Sequence, residues 1–334
     1  MATILDTKSI YYNDCNLIAQ PGHPSIKSRS DIPKELDRIF VSPMEAIIGK
    51  TFAIEASRLG LSMCLHRFSS VSDQLDILKS TKIANPYSNV FVSIGLNDWD
   101  RVSIMKDYTT NWVIDCANGY LPTITDSICK LLDSAQVKTL MIGNIHSKQG
   151  VQLYRQFTKH WSNNNNFDLI FRVGIAGGAA CATSDMTGIN RGQITEIMEC
   201  SNETKYHPNF FVAADGGIKN GNYASKAFAA GSNFVIMGGF FARAKEAETH
   251  VIGDGTYWGG ASLKQQERCG LIRRHSEGKV YKIEENLVSL ESLVNDLWGG
   301  LSSSVSYSGY KSLTDYIGNG VFEIKENSLA PSGR

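Results

Sequence analysis

The sequence carries no excess charge of either sign. Its 33 lysines and arginines balance 33 aspartates and glutamates, for a formal net charge of +0 at pH 7. A nucleic acid or anionic membrane surface held by bulk electrostatics is therefore not an expected partner. No window holds the roughly 20 consecutive apolar residues of a membrane-spanning helix. The first residues, MATILDTKSIYYND, lack a basic stretch followed by an apolar one, so no secretory signal is expected. The 7 cysteines are scattered, odd in number and free of C-x-x-C pairs. That pattern disfavours a disulfide scaffold and a zinc module, and points to a reducing, cytoplasmic setting. No internal repeat and no G-x-G-x-x-G dinucleotide loop is present. What is there is an ordinary globular composition: 334 residues, 42% hydrophobic and 20% charged. That is enough apolar material for a large core, and it excludes disorder as the main state.

The positive signal is alternation. Short apolar, β-branched runs recur at 38–44, 61–67, 89–95, 111–117, 138–145, 168–176, 209–217 and 233–239. Each is nearly continuously apolar, the pattern of a strand buried on both faces of a parallel sheet. Helix-like stretches lie between them at 50–60, 70–84, 98–109, 121–136, 147–161, 191–202 and 221–231. Within 147–161, Val151, Tyr154, Phe157 and Trp161 share one face at helical spacing, which reads as core packing. Gly231 is placed to end its helix. Eight strand–helix units predict an α/β fold, a (β/α)8 TIM barrel forming one domain over residues 1–334. A doubly wound open sheet is the alternative. Residues 162–166, SNNNN, read as a solvated loop. Residues 250–290 are too long for a plain connection and read as a flap or insert after the eighth strand. Residues 325–334 read as a loose tail.

A barrel of this type carries its active site at the C-terminal ends of the strands. Polar residues and glycines recur there: Ser42, Met44 and Glu45; His66 and Arg67; Asp115 and Asn118; Asn144; the loop 174–183; Asp215 to Gly217; Gly238 and Gly239. Any one of them alone is an ordinary cap or turn residue. Glycine pairs after strands seven and eight let backbone N–H groups approach an anion, and these two loops are the usual phosphate cradle of such barrels. Asp215 beside them is suited to ribose hydroxyls. Phosphate with ribose means a nucleotide. Most cysteines are buried structural residues. Cys64, Cys129 and Cys200 fit that description, and Cys116 is read as lying within the fourth strand. Cys181 instead stands in a glycine-rich loop at the catalytic rim, where a thiolate could attack an electrophilic carbon.

These residues resemble the family of IMP dehydrogenase and GMP reductase. The likeness runs from about residue 5 to about 315 and rests on SPMEA at 42–46, DCANGY at 115–120, MIGNI at 141–145 and GIAGGAACATSDMTGINRGQ at 174–193. It continues through ADGGIKNGNYASKAFAAGSNFVIMGG at 214–239, RHSEGK at 274–279 and LWGGLSSSVSYSG at 297–309. DCANGY, RHSEGK and the short stretch after His66 are similar to the reductase branch. The resemblance implies NADPH-dependent reductive deamination of GMP to IMP through a covalent Cys181–purine adduct. It implies Thr183 and Glu277 as the groups that handle the proton. It places Met44, Asp215, Gly217, Gly238, Gly239, Tyr257 and Ser262 on the substrate, and Asp115 and Asn118 on the cofactor side. It also implies a K⁺ ion on the carbonyls of Gly174, Ala176 and Cys181, and a homotetramer. IMP dehydrogenase, a reductase of a modified purine nucleotide and a non-catalytic nucleotide-binding protein stay open as alternatives. The cysteine loop departs from the family's usual G-x-G-P-G-S-x-C-T-T-R, with Ala176, Gly177, Ala179 and Ser184 where glycine, proline, serine and arginine are usual.

Overall fold

A computed structural model of the chain describes residues 8–161, 167–271, 275–283 and 287–325. Eight parallel strands close into a barrel. They are β1 (Ile39–Val41), β2 (Ser62–Leu65), β3 (Val90–Ile94), β4 (Asn111–Asp115), β5 (Thr139–Ile145), β6 (Asp168–Val173), β7 (Phe210–Asp215) and β8 (Phe234–Met237). The ring closes where Ile39, Phe40 and Val41 lie opposite Val235, Ile236 and Met237. Every strand falls inside one of the eight apolar runs, and the open sheet is excluded.

Helices follow the strands: α1 (Lys50–Leu59), α2 (Val71–Ala84), α3 (Trp99–Met105), α4 (Pro122–Ser134), α5 (Lys148–Trp161), α6 (Gln193–Thr204) and α7 (Gly221–Ala229). Local chemistry sets several starts. The Ser70 hydroxyl accepts the N–H of Asp73 to cap α2, and Pro122 opens α4 where its missing N–H costs nothing. On α5, Val151 and Tyr154 are buried as the stripe predicted. The side chains of Phe157 and Trp161 lie outside the described set, as do residues 162–166, Arg274 and most of the tail.

The sequence pattern did not reveal α8 (Leu290–Tyr307), which the Ser289 hydroxyl caps. Gly299, Gly300 and its run of serines dilute the apolar stripe. Of these small residues, Gly300 serves a close approach to α7. A Cβ on Gly221 would lie 3.1 Å from the carbonyl oxygen of Leu297 and 3.4 Å from the Cα of Gly300. Two antiparallel ribbons flank the barrel. Cys15–Leu17 pairs with Phe322–Ile324, and Thr256–Trp258 pairs with Val280–Lys282. The second ribbon and a short helix, Leu263–Arg268, occupy the stretch read as a flap. Among the described residues no helix is long and apolar enough to cross a membrane.

Inside the barrel sits a small apolar cluster with one residue from each strand: Phe40, Cys64, Phe91, Val113, Met141, Ile170, Ala213 and Ile236. Large and small side chains together fill the interior, as a barrel of this size requires. Cys64 is thus a plug residue. Cys116 lies one residue beyond the end of β4 rather than within it, because the chain leaves the ladder at Asp115.

One core group is out of keeping with its surroundings. Glu196 on α6 is 0% exposed, and neither carboxylate oxygen has a hydrogen-bond partner among the described residues. Burial pushes its pKa up to about 9. The unfolded chain releases this proton near pH 4–5 while the folded chain keeps it, so Glu196 lowers stability as pH rises through that interval. Replacing Glu196 by Gln should therefore stabilise the protein, by about 2–4 kcal/mol at pH 8 and far less at pH 5. Urea denaturation of both proteins at the two pH values checks this, and a difference independent of pH would overturn it.

Candidate active site

Side chains alternate along a strand, so the residue two beyond each plug position faces the same way. At the C-terminal end this gives Ser42, His66, Ser93, Asp115, Gly143, Arg172, Asp215 and Gly238, a largely polar layer directly above the apolar one. Its centre is Arg172, whose side chain is only 8% exposed. One guanidinium nitrogen reaches Asp115 Oδ1 at 2.6 Å. Nε and the other nitrogen reach Asp215 Oδ2 at 2.9 and 2.8 Å. Asn144 adds its amide to the same oxygen at 2.9 Å, and Arg67 pairs with Asp115 Oδ2 at 3.5 Å. Burial alone would raise the Asp115 pKa. Arg172, and then Arg67, more than offset this and hold its carboxyl below the usual range. Sequence reasoning missed Arg172, because it lies inside the apolar run DLIFRV.

The loop after β6 carries Cys181 to the wall of a cavity of about 290 Å³, together with Arg67, Asp115, Thr183 and Glu277. The Cys181 thiol donates to the Thr183 hydroxyl at 3.2 Å. That hydroxyl donates to Glu277 Oε2 at 2.8 Å. Glu277 comes from the flap, which docks as a strand-like edge. The Ala182 N–H donates to the Glu277 carbonyl at 2.6 Å, and the Lys279 N–H to the Ala180 carbonyl at 2.8 Å. A second tie holds the short flap helix: Gln265 and Arg268 donate to Glu45 at 2.7 and 2.9 Å. Burial works against the Glu45 charge, but these donors keep its pKa low. Cys116 lines the same cavity, and its thiol donates to the Gly143 carbonyl at 2.9 Å. Burial, reinforced by Asp115, pushes its pKa up to about 12, which leaves little thiolate for attack at neutral pH.

A second cavity, about 270 Å³, adjoins the first along Ser42, Met44, Gly178, Asp215, Gly216 and Tyr257. Gly217, Gly238 and Gly239 line it too. Gly217 has φ +73, a conformation that suits glycine, and a Cβ there would sit 3.0 Å from the Gly177 carbonyl oxygen. The N–H groups of Gly217, Gly238 and Gly239 have no recorded acceptor among the described residues. Tyr257 is buried, with its hydroxyl 3.2 Å from Met44 Sδ.

Most of the expected site residues therefore gather around these two cavities, and two do not. Ser262 is 0% exposed and lines neither, because its hydroxyl accepts the Gln265 N–H as the cap of the flap helix. Asn118 is exposed and outside both, its side-chain oxygen taken by the Tyr120 N–H in a local turn. The carbonyls expected to hold K⁺ lie along the cysteine loop. The Gly174 carbonyl already accepts the Asn144 amide at 2.7 Å, and Ala176 takes a left-handed φ of 65°.

Fold and site together define a closed (β/α)8 barrel with a cysteine, an acid and two adjoining cavities at its C-terminal rim, the arrangement of a barrel enzyme. The chain belongs to the IMP dehydrogenase / GMP reductase family, whose domain model matches residues 25–330. It is similar to a protein named GMP reductase from Caenorhabditis elegans, 25% identical over 92% of this chain and 90% of that one. A GMP reductase of Buchnera aphidicola is 27% identical over 90% of each chain. One of Escherichia coli is 24% identical over 90% of each.

Removing one partner of a buried ion network leaves the rest uncompensated, at about 3–5 kcal/mol. Arg172→Met should lose that much stability, since Asp115 and Asp215 would be left facing each other. The double variant Arg172→Met/Asp115→Asn should recover part of it. Thermal melts of the single and double variants decide the point, and an unchanged melting temperature in Arg172→Met would refute the clamp.

Proposed function

We propose that the protein is a GMP reductase, converting GMP, NADPH and two protons to IMP, NADP⁺ and ammonium. The hydrogen-bonded chain Cys181–Thr183–Glu277, next to a cavity rich in free backbone N–H groups, carries this reading. The names of the similar proteins support it.

In this reading the purine lies against Met44 and Tyr257, Asp215 takes the ribose hydroxyls and the amides of Gly217, Gly238 and Gly239 take the phosphate. Cys181 Sγ forms a bond to purine C2, and the thiol proton passes through the Thr183 hydroxyl to Glu277. Ammonia is a poor leaving group unless protonated, so Glu277 returns the proton to the 2-amino group as the C2–N bond breaks. The C2–Sγ bond then breaks, and the thiolate leaves with its electron pair once C2 has been reduced. Splitting the substitution through a covalent adduct replaces one hard step by two easier ones. NADPH, when bound, supplies the hydride to C2. Arg67, Phe68, Cys116 and Ala117 line the first cavity but not the second and would hold its ring, with the Arg67 guanidinium 5.1 Å from the Phe68 ring centroid. Asp115 lies at that side, its charge already met by two arginines. A K⁺ ion, when bound, would sit on the carbonyls of Gly174, Ala176 and Cys181, and no step runs through it. A homotetramer is part of the same reading and rests on the resemblance, while the cytoplasmic setting rests on the scattered, odd-numbered cysteines.

The test mixes purified protein with GMP and NADPH, following NADPH absorbance and the purine product. NADPH loss with IMP formation should occur in the native protein and vanish in Cys181→Ala. Glu277→Gln should lower kcat about a hundredfold or more, the usual scale for losing a proton-transfer group. Oxidation of IMP with NAD⁺ but no reduction of GMP would replace this reading by the dehydrogenase. Turnover of another purine monophosphate alone would change the substrate, and tight nucleotide binding without turnover would leave a binding protein.

A further inference from the structure

The second cavity contains two cations that the reaction above leaves unused. Lys219, two residues beyond Gly217, and Arg243, four beyond Gly239, both line it. Among the described residues neither comes within 4.0 Å of a carboxylate oxygen. The one recorded side-chain contact of Arg243 is with the Phe240 ring, 5.1 Å from its centroid. The remaining charged residue of that wall is Asp215, and Arg172 already neutralises it. The two cavities thus differ in character. The first balances arginines against carboxylates, while the second presents two uncompensated positive charges beside free amides.

Two further groups complete the wall. The hydroxyls of Tyr257 and Tyr281 stand over the glycine pair: a Cβ on Gly238 would lie 2.9 Å from the Tyr257 oxygen, and one on Gly239 3.7 Å from the Tyr281 oxygen. Tyr281 belongs to the flap ribbon, so a ligand in this cavity would be covered from that side. Neutral amides and phenols orient an anion but do not cancel its charge. A guanidinium binds two phosphate oxygens at once, and an ammonium adds a point charge.

We infer that Lys219 and Arg243 form a two-cation clamp for a phosphomonoester dianion, making phosphate charge a main determinant of substrate choice. The inference deepens the reading of this cavity as the phosphate end of a nucleotide site. Two positive charges match the two negative charges of a 5′-monophosphate above pH 6–7, the second phosphate pKa being near 6. A nucleoside without its phosphate would leave both cations unpaired in the cavity and bind poorly. Lys219 is exposed, so its share is screened by salt, whereas the half-buried Arg243 is screened less.

The experiment measures GMP binding by calorimetry and GMP turnover, at low and high salt, for the native protein, Lys219→Gln, Arg243→Gln, Arg243→Lys and the double glutamine variant. Melting curves confirm folding. Each glutamine substitution should weaken binding about tenfold at low salt. The loss should fall on KM more than on kcat, Arg243→Lys should restore part of it, and salt should affect the double variant least. Inorganic phosphate should compete with GMP in the native protein and lose that ability in the double variant, which separates a phosphate site from recognition of the nucleoside. Unchanged GMP affinity and salt dependence in the double variant would overturn the clamp while leaving the reductase intact. Absence of GMP turnover, with phosphate or another nucleotide still bound through Lys219 and Arg243, would overturn the reductase reading and leave the clamp standing.

Discussion

The buried guanidinium of Arg172 is the constraint on which the rim depends. It joins β4 to β7 from its place on β6, and it lets two carboxylates occupy the floor of one cavity. Without it Asp115 and Asp215 would face each other as like charges in a poorly solvated space. With Arg67 the group is electrically balanced: two arginines, two aspartates. Such buried networks seldom add much net stability compared with apolar packing of the same volume. Their value here is geometric. Asp215 is held by Arg172 and by Asn144 on one oxygen, so its orientation is set before any ligand arrives. Preorganised polar groups of this kind cost no rearrangement at the moment of reaction.

Above that floor the chemistry comes from loops, and one of them is the flap. Glu277, Tyr257 and Tyr281 all belong to it, so neither cavity is complete until it docks. The docking uses backbone bonds at Ala180 and Ala182, one residue either side of Cys181. The nucleophile and its acid are therefore registered against each other by the main chain, not by side-chain contact alone. Glu45 provides the other anchor, through Gln265 and Arg268. This divides labour in the way common to barrels: the strands supply fixed positions and the loops supply reactive groups.

The barrel was legible because its strands are short, nearly continuous apolar runs separated by regular helix patterns. The signals that failed did so for physical reasons. Arg172 interrupts an apolar run, and a charge in a strand ordinarily argues for exposure; only the three-dimensional ring of strands shows two aspartates waiting for it. The helix α8 carries Gly300 where it packs closely on α7, and with Gly299 and the serines around it this smallness hides its apolar face. The pairing of Cys15–Leu17 with Phe322–Ile324 joins the two ends of the chain, which no local pattern can reveal. Ser262 and Asn118 were assigned by motif position. The Ser262 hydroxyl accepts a backbone N–H as a helix cap, and the Asn118 side-chain oxygen accepts one in a turn. A Ser or Asn near a helix start carries that possibility wherever it occurs.

The cysteine loop is where the backbone pays for function, and its conformation explains which residues it can hold. Gly174 has φ +137, and a Cβ there would lie 2.1 Å from the carbonyl oxygen of Asp215. The chain thus turns against the end of β7 at a distance open only to glycine. Two residues on, Ala176 adopts φ 65° although it bears a Cβ, a conformation costing about 1–2 kcal/mol for a residue other than glycine. Strain of this size persists only where the surroundings over-determine the path. Here they do: Gly174 is tied to Asn144, and the neighbours of Cys181 to the flap. Asn144 is the link between the two halves of the site. Its amide nitrogen reaches both the Gly174 carbonyl, at 2.7 Å, and Asp215. The position of the nucleophile's loop and the orientation of the ribose-side carboxylate are consequently linked through one side chain. A change that moved either would be felt by the other, which is how a rigid barrel couples a reacting end to a binding end without any large motion.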